Sequence, residues 1–479
     1  MKKKILFVGA EAMPFAASGG LGDVLGSLPA AIAKEDPETD VRVVLPLYTQ
    51  IDTHWREQMT QVAVFSVSLA WRNQYCGIFS LQKDGVTYYF IDNEFYFKRM
   101  ALYGEYDDGE RYAFFCKAVM DMMPHVGFYP DILHAHDWQA ALTVIYLHTL
   151  YRHAPGYDRM RSIFTIHNIE YQGKYDFAIL SDVFNLDYDQ YGLMNYGGCI
   201  NLMKAAIQCA DRVSTVSPTY AEEILWPEHS HGLYHCLRAN QHKLSGILNG
   251  IDYDYYNPKT DPVLVSHYSS ASPHRKYANK TALQEALSLP VDADIPMLAI
   301  ISRLATHKGL DLIREMAYNL MRDHRAQLVI LGKGEAKYEE YFRWLESQFP
   351  SQVRALIQYD RDLARKIYAA ADIFLMPSRS EPCGLSQMIA SRYGAIPVTR
   401  ETGGLFDSIQ GYWREGDEIH GNGFTFANYS AAELAERTEA ALTLYADPKA
   451  RRALVTKIMQ TDFSWNVSAR KYLALYAEL

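Results

Sequence analysis

Several stretches of this chain set polar or charged residues just after a short apolar run, where a strand would hand over to a helix. In HAHDW (134–138), alternation along a strand puts His134 and His136 on one face and leaves Asp137 just past its end. A metal reading of H-x-H-D lacks a further ligand set. A catalytic or hydroxyl-binding Asp137 is the better reading, and an N-cap ahead of WQAALTV is the bland one. In FTIHNIEYQG (164–173), His167 and Asn168 stand at a second strand end. In ISRLATHKGLDL (301–312), Arg303 and Lys308 flank a loop before a helix, two cations of the kind that hold a diphosphate. In MPSRSEPCGLSQMIASRYG (376–394), Glu381 precedes the turn Cys383-Gly384-Leu385, and Ser386 opens a helix. Backbone N–H groups there can face an anion, and a carboxylate there can accept from sugar hydroxyls.

The opening loop, EAMPFAASGGLGDVLGSLP (11–29), poses the sharpest question. Ser18, Gly19, Gly20 and Asp23 lie between a strand and a helix, as in a phosphate-binding turn, yet the loop holds no lysine or arginine. Neither the G-x-G-x-x-G spacing nor a G-K-[ST] ending is present. The D-x-D pairs Asp187/Asp189, Asp252/Asp254 and Asp292/Asp294 fall in loop-like stretches and are read as chance, with no metal site expected.

These loops need strands to carry them. KILFVG (4–9), VRVVLP (41–46), DILHAH (131–136), RSIFTIH (161–167) and DRVSTVS (211–217) are apolar almost throughout, as strands covered on both faces are. Helical patterns such as AALTVIYLHTLYRH (140–153) lie between them. Around residues 240–260 Gly, Asn, Asp and Pro cluster, and the alternation then restarts with PMLAIISR (296–303), AQLVILG (326–332), RALIQY (354–359), ADIFLMP (371–377) and GAIPVT (394–399). KGLDLIREMAYNLMRD (308–323) and DLARKIYAAA (362–371) are the helices among these. The pattern predicts an α/β chain of two doubly wound parallel-sheet domains, residues 1–245 and 246–460, with a terminal helix at 461–479. Open parallel sheets bind ligands at the carboxyl ends of their strands, so a cleft between two such domains is the expected place for the site.

The bulk properties narrow the class. At 479 residues, two domains of roughly 200 residues each are expected. A net charge of −9 without a basic stripe argues against a nucleic-acid partner. The 6 cysteines are scattered without a C-x-x-C pair, which suits a reducing compartment. MKKKILFVGAEAMPFAA mimics a signal peptide, but its apolar stretch is too short, and no run is long enough to span a membrane. A cytoplasmic location is expected.

Taken in order, GGLGDV, YFIDN, YGEYDDGERYAFF, HAHDWQ, TIHNIEYQG, STVSPTYAEEI, GILNGID, ISRL…KGLDL, SEPCGLSQ and TGGLFDS resemble the bacterial glycogen synthase and plant starch synthase family across nearly the whole chain. That resemblance implies a GT-B fold of two Rossmann-like domains, the last helix returning to the first domain. It implies transfer of glucose from ADP-glucose to the non-reducing end of an α-1,4-glucan, with retention and with neither cofactor nor metal. By the same resemblance Arg303 and Lys308 grip the diphosphate, and Cys383, Gly384, Leu385 and Ser386 contact phosphate through the backbone. Tyr359 stacks on adenine and Asn249 lies near the nucleotide. Asp137, His167 and Glu381 surround the transferred glucose, and Ser18, Gly19, Gly20 and Asp23 belong to the loop facing the donor. One position departs: where the family motif has lysine before its Thr/Val-Gly-Gly, this chain has Ala17. That departure motivates one alternative, a weakly active or non-catalytic glucan- or nucleotide-binding paralogue; a synthase that uses UDP-glucose is a further alternative, because stacking on Tyr359 tolerates either base.

Overall fold

The computed structural model describes residues 2–416 and 418–479. The chain forms two α/β units, one from its start to Gly250 together with Trp465–Leu479, the other Ile251–Ser464. The switch therefore falls after Gly250 rather than after residue 245, and the return falls after Ser464 rather than after residue 460. The reason is local. Leu244–Gly246 still pairs in parallel with the strand Arg212–Thr215, and Ile247 N–H donates to Thr215 O, so this stretch belongs to the first sheet.

Apart from a small three-stranded sheet of short strands between residues 174 and 201, the strands of the first unit are β1 (Lys4–Val8), β2 (Asp40–Pro46), β3 (Thr60–Leu69), β4 (Arg72–Lys83), β5 (Val86–Asp92), β6 (Ile132–His136), β7 (Arg161–Ile166), β8 (Arg212–Thr215) and β9 (Leu244–Gly246). They make one sheet in the order β9-β8-β7-β6-β1-β2-β5-β4-β3. From β9 to β5 every pairing is parallel, while β5, β4 and β3 pair antiparallel. Every residue of β6 is buried, as its apolar reading requires. The antiparallel arm was not expected. Its signal is KDG between β4 and β5, where Asp84 (φ 51°) and Gly85 (φ 79°) both take the left-handed backbone of a tight hairpin turn. The helix expected at 140–153 runs as Asp137–Tyr146 and widens into a π-helical turn at Leu147–Tyr151.

The chain runs from β1 to β2 on one side and later to β6 on the other, so the strand order reverses beside β1. Ligand crevices in open α/β sheets form at such a reversal, outside the carboxyl ends of the strands. The terminal helix Trp465–Ala477 closes this unit: Tyr476 Oη lies 2.8 Å from His134 Nδ1, Lys3 Nζ donates to Tyr476 O, and Ser468 Oγ donates to Leu248 O.

The second unit holds β10 (Met297–Ile301), β11 (Gln327–Leu331), β12 (Val353–Leu356), β13 (Ile373–Met376), β14 (Ile396–Arg400) and β15 (Phe424–Phe426), all parallel, in the order β12-β11-β10-β13-β14-β15. Its reversal lies between β10 and β13. Two buried lysines brace the opposite end of this sheet. Lys276 Nζ donates to the carbonyls of Tyr368, Ala369 and Tyr393. Lys280 Nζ meets Asp372 Oδ2 at 2.6 Å, and the same oxygen accepts from Met297 N–H. Removing one partner of a buried pair strands the other charge, at a cost of about 3–5 kcal/mol. Lys280→Met should therefore lower the thermal unfolding midpoint markedly, and an unchanged midpoint would show that the pair does not hold this sheet.

Candidate active site

In the first unit the end of β6 is strained where it turns into the next helix. Asp137 has φ 56°, a left-handed backbone that a non-glycine residue adopts at a cost and that concentrates at functional sites. Its Oδ1 accepts from the N–H of His167 at 2.7 Å and of Asn168 at 3.4 Å, tying the end of β6 to the end of β7. Burial pushes the Asp137 carboxyl up to about 7; the two N–H bonds pull the other way, and the nearby charge of Glu11 adds to the rise.

His134 and His136 lie on one face of β6 as expected, their rings stacked at 4.2 Å. They do not make a metal site. Both nitrogens of His134 face hydroxyls, of Tyr476 and Thr165, and among the described residues no group of three His, Cys, Asp or Glu converges as metal ligands. The D-x-D stretches form turns: Asp252 Oδ1 accepts from Asp254 N–H and Tyr255 N–H, and Asp292 Oδ1 accepts from Asp294 N–H.

The glycine-rich loop is organised by a residue that sequence reasoning missed. Glu11, 3 % exposed, sits just beyond β1. Its Oε2 accepts from Ser18 N–H (2.5 Å) and Gly19 N–H (3.1 Å), and its Oε1 from Ser18 Oγ (2.8 Å) and Tyr103 Oη (2.6 Å). The chain's own carboxylate thus fills the cradle formed by Ser18 and Gly19. The free donors of the loop are those of Gly20 and Leu21, in the first turn of helix α1 (Gly20–Glu35), where Asp23 also lies. Ala17 fits against this turn, and a Cβ at Gly22 would stand 2.4 Å from Ala17 Cβ and 3.3 Å from Glu11 Oε2. No cation pairs with Glu11 among the described residues.

The signal for Glu11 was an acid placed directly after a fully apolar strand. Tyr103 opens YGEYDDGERYAFF, whose remaining residues are its scaffold. Arg111, fully buried, donates to the carbonyls of Tyr96 and Leu102 and to Asp108, which in turn accepts from Gly104 N–H.

In the second unit Arg303 and Lys308 follow β10, and Glu381 follows β13. Lys308 Nζ meets Glu381 Oε2 at 2.7 Å, and Ser378 Oγ donates to the same oxygen at 3.0 Å. Glu381 is 6 % exposed, whereas Arg303 is exposed and its guanidinium makes no bond among the described residues. Glycines allow this assembly. A Cβ at Gly309 (φ 72°) would stand 1.9 Å from Pro377 O, so only glycine lets the Lys308 loop close on the end of β13. A Cβ at Gly403 would stand 2.1 Å from Glu381 O, and Gly404 N–H donates to that carbonyl, which gives TGGLFDS a structural purpose. Gly384 (φ 71°) turns the chain between buried Cys383 and Leu385, and Ser386 starts the helix Ser386–Arg392.

Two expected residues stand apart from these clusters. Asn249 is buried with Oδ1 unpartnered, and Tyr359, beyond β12, is 76 % exposed.

Comparison with known proteins follows from this geometry. Residues 4–239 match the starch synthase catalytic domain, and residues 287–458 match glycosyl transferases group 1. The chain is 45 % identical to the glycogen synthase of Geobacillus thermodenitrificans (strain NG80-2), over 99 % of this chain and 98 % of that protein. It is 46 % identical to that of Clostridium botulinum (strain Eklund 17B / Type B), over 99 % of each. The catalytic domain of Starch Synthase IV from Arabidopsis thaliana, solved bound to ADP and acarbose, superposes with a TM-score of 0.91 at 35 % identity, covering 100 % of this chain and 99 % of that one. Sucrose-phosphate synthase from Thermosynechococcus elongatus, 16 % identical with a TM-score of 0.61, shares the fold. Two parallel-sheet units with polar clusters at their strand ends, so matched, define a glycosyltransferase of the GT-B fold. Within that class, the chain belongs to the glycogen and starch synthase family. No helix among the described residues is long and apolar enough to cross a membrane.

The raised carboxyl of Asp137 has a consequence for stability. Its folded value lies above the ordinary 3.8, so the folded state resists ionisation between pH 3.8 and about 7, and stability falls as pH rises through that window. Asp137→Asn should raise the free energy of unfolding at pH 8 by up to about 4 kcal/mol, seen as a higher unfolding midpoint, and by much less at pH 4. An equal change at both pH values, or a loss at pH 8 alone, would contradict this.

Proposed function

We propose that this glycosyltransferase is a glycogen synthase, which transfers glucose with retention from ADP-glucose to the 4-hydroxyl of a non-reducing α-1,4-glucan end. The observation that carries the reading is the pair of cations after β10: an exposed Arg303 whose guanidinium has no partner among the described residues, and a Lys308 steadied by Glu381. A guanidinium left unpaired at a strand end suits a bidentate grip on phosphate oxygens. The ammonium of Lys308 has three donors. Glu381 uses one of them, leaving others for the diphosphate.

In this mechanism the bond between glucose C1 and the diphosphate oxygen breaks while the acceptor oxygen approaches C1 on the same face. The acceptor proton passes to the departing phosphate oxygen, so ADP leaves and the glucan grows by one residue. Negative charge grows on the diphosphate, where Arg303, Lys308 and the N–H groups of Cys383, Gly384, Leu385 and Ser386 stabilise it. Positive charge grows on the sugar ring. Asp137 and Glu381 accept from its hydroxyls, and the His167 carbonyl supports the cation. Most of the rate gain is positioning and electrostatics rather than covalent chemistry.

Donor binding on the first unit falls to Gly20, Asp23 and Asn249, with Ser18 and Gly19 acting through the Glu11 cradle. The exposed ring of Tyr359 stacks on the base, and stacking tolerates uracil as well as adenine.

Labelled ADP-glucose or UDP-glucose, each supplied with glycogen, tests the proposal by incorporation of label into polymer. ADP-glucose should be the better donor. Faster incorporation from UDP-glucose would reassign the base. No incorporation from either donor, with glycogen binding intact, would leave the chain a glucan-binding paralogue.

A further inference from the structure

His136 has no part in the mechanism above, yet its surroundings are among the most restrictive in the molecule. It is fully buried at the end of β6, one residue before Asp137. Its ring packs against both Phe7 (5.6 Å, 19° between planes) and His134 (4.2 Å, 30°), which also touch each other at 4.9 Å. Its Nδ1 is 2.9 Å from Nε2 of His167, while its own Nε2 is buried without any partner. His167 is only partly buried, and its Nδ1 makes no bond within the protein.

Burial holds all three histidines neutral, His134 and His167 at about 3 and His136 well below its ordinary value. A neutral imidazole carries one N–H, so one member of the His136–His167 contact donates and the other accepts. Were His136 protonated at Nε2, that N–H would be buried with no acceptor, the rarer and costlier kind of orphan. With the proton on Nδ1 instead, His136 donates to His167 Nε2 and leaves only a lone pair unmet. His167 must then carry its own proton at Nδ1, on its open side.

We propose that His136 is a positioning residue, donating from Nδ1 to His167 Nε2 and thereby holding His167 as a neutral Nδ1–H donor towards an oxygen of the transferred glucose. The proposal rests on the glucosyl-transfer reading for its substrate, but not for its tautomer. Stacking against Phe7 and His134 fixes the ring plane of His136, and the Asp137 bond to His167 N–H fixes the backbone from which the second ring hangs.

The test has a spectroscopic and a kinetic arm. In ligand-free protein labelled with 15N-histidine, the resonances lost in His167→Gln should be a protonated Nδ1 and an unprotonated Nε2. His136→Phe keeps the stacked ring but removes the donor, and kcat should fall about tenfold or more while ADP affinity is unchanged. His136→Asn returns an N–H to the Nδ1 position and should restore most of that rate. An Nε2-protonated His167, or wild-type kcat in His136→Phe, overturns the proposal. If His136→Phe does not fold, the His167 tautomer and the His136→Asn rate decide it. If the wild type transfers no glucose to polymer, the function reading fails, and the tautomer still stands or falls by its own spectrum.

Discussion

A parallel sheet covered on both faces leaves no room for an unpaired charge except at the ends of its strands. That constraint organises both units. β1 and β6 in the first, and β10 and β13 in the second, are buried along nearly all their lengths and flank the point where strand order reverses. Glu11, Asp137 and His167 follow the strands of the first unit; Arg303, Lys308 and Glu381 follow those of the second. Burial that would be costly mid-strand is tolerable at an end, where backbone N–H groups and neighbouring loops satisfy a carboxylate.

The charges are divided unevenly. The second unit offers two cations and one carboxylate, with Lys308 and Glu381 already paired. Besides Asp23, the first offers Glu11, held by loop N–H groups and Tyr103, and Asp137, held by the N–H groups of β7's end, neither paired with a cation among the described residues. In the proposed mechanism this division gives the diphosphate to the second unit and the hydroxyls and cationic transition state of the sugar chiefly to the first. Ala17 is consistent with this division. The Gly-Gly turn is kept closed by Glu11 rather than by an external anion, so it works as scaffold for the first turn of α1 as much as for contact.

Much of this was legible in the chain. The apolar strands, the doubly wound order and the strand-end positions of Asp137, His167, Arg303, Lys308 and Glu381 follow from periodicity and turn residues alone. The antiparallel β3–β5 arm was not read. Its edge strand β3 is mostly exposed and lacks the continuous apolar run, and the arm's clear sign was the Asp84-Gly85 turn. Glu11 was invisible for another reason: a single acid after a strand carries no spacing, and its four donors come from residues up to Tyr103. The same holds for His136, whose importance lies in an orphaned nitrogen that no sequence pattern encodes, and for Gly403 and Gly404, whose need appears only where the loop from Glu381 to Cys383 crosses them.

The central claim is that the donor's charge is met by the cations of the second unit. Arg303 isolates it, because its side chain is exposed and bonds to none of the described residues, so replacing it disturbs no internal side-chain pair. Calorimetric titration of ADP into wild type and Arg303→Gln is the direct measurement. A lost charge-assisted contact, about 1.5–3 kcal/mol, predicts a Kd raised about ten- to hundredfold with the unfolding midpoint unchanged. A Kd within twofold of wild type would contradict the account.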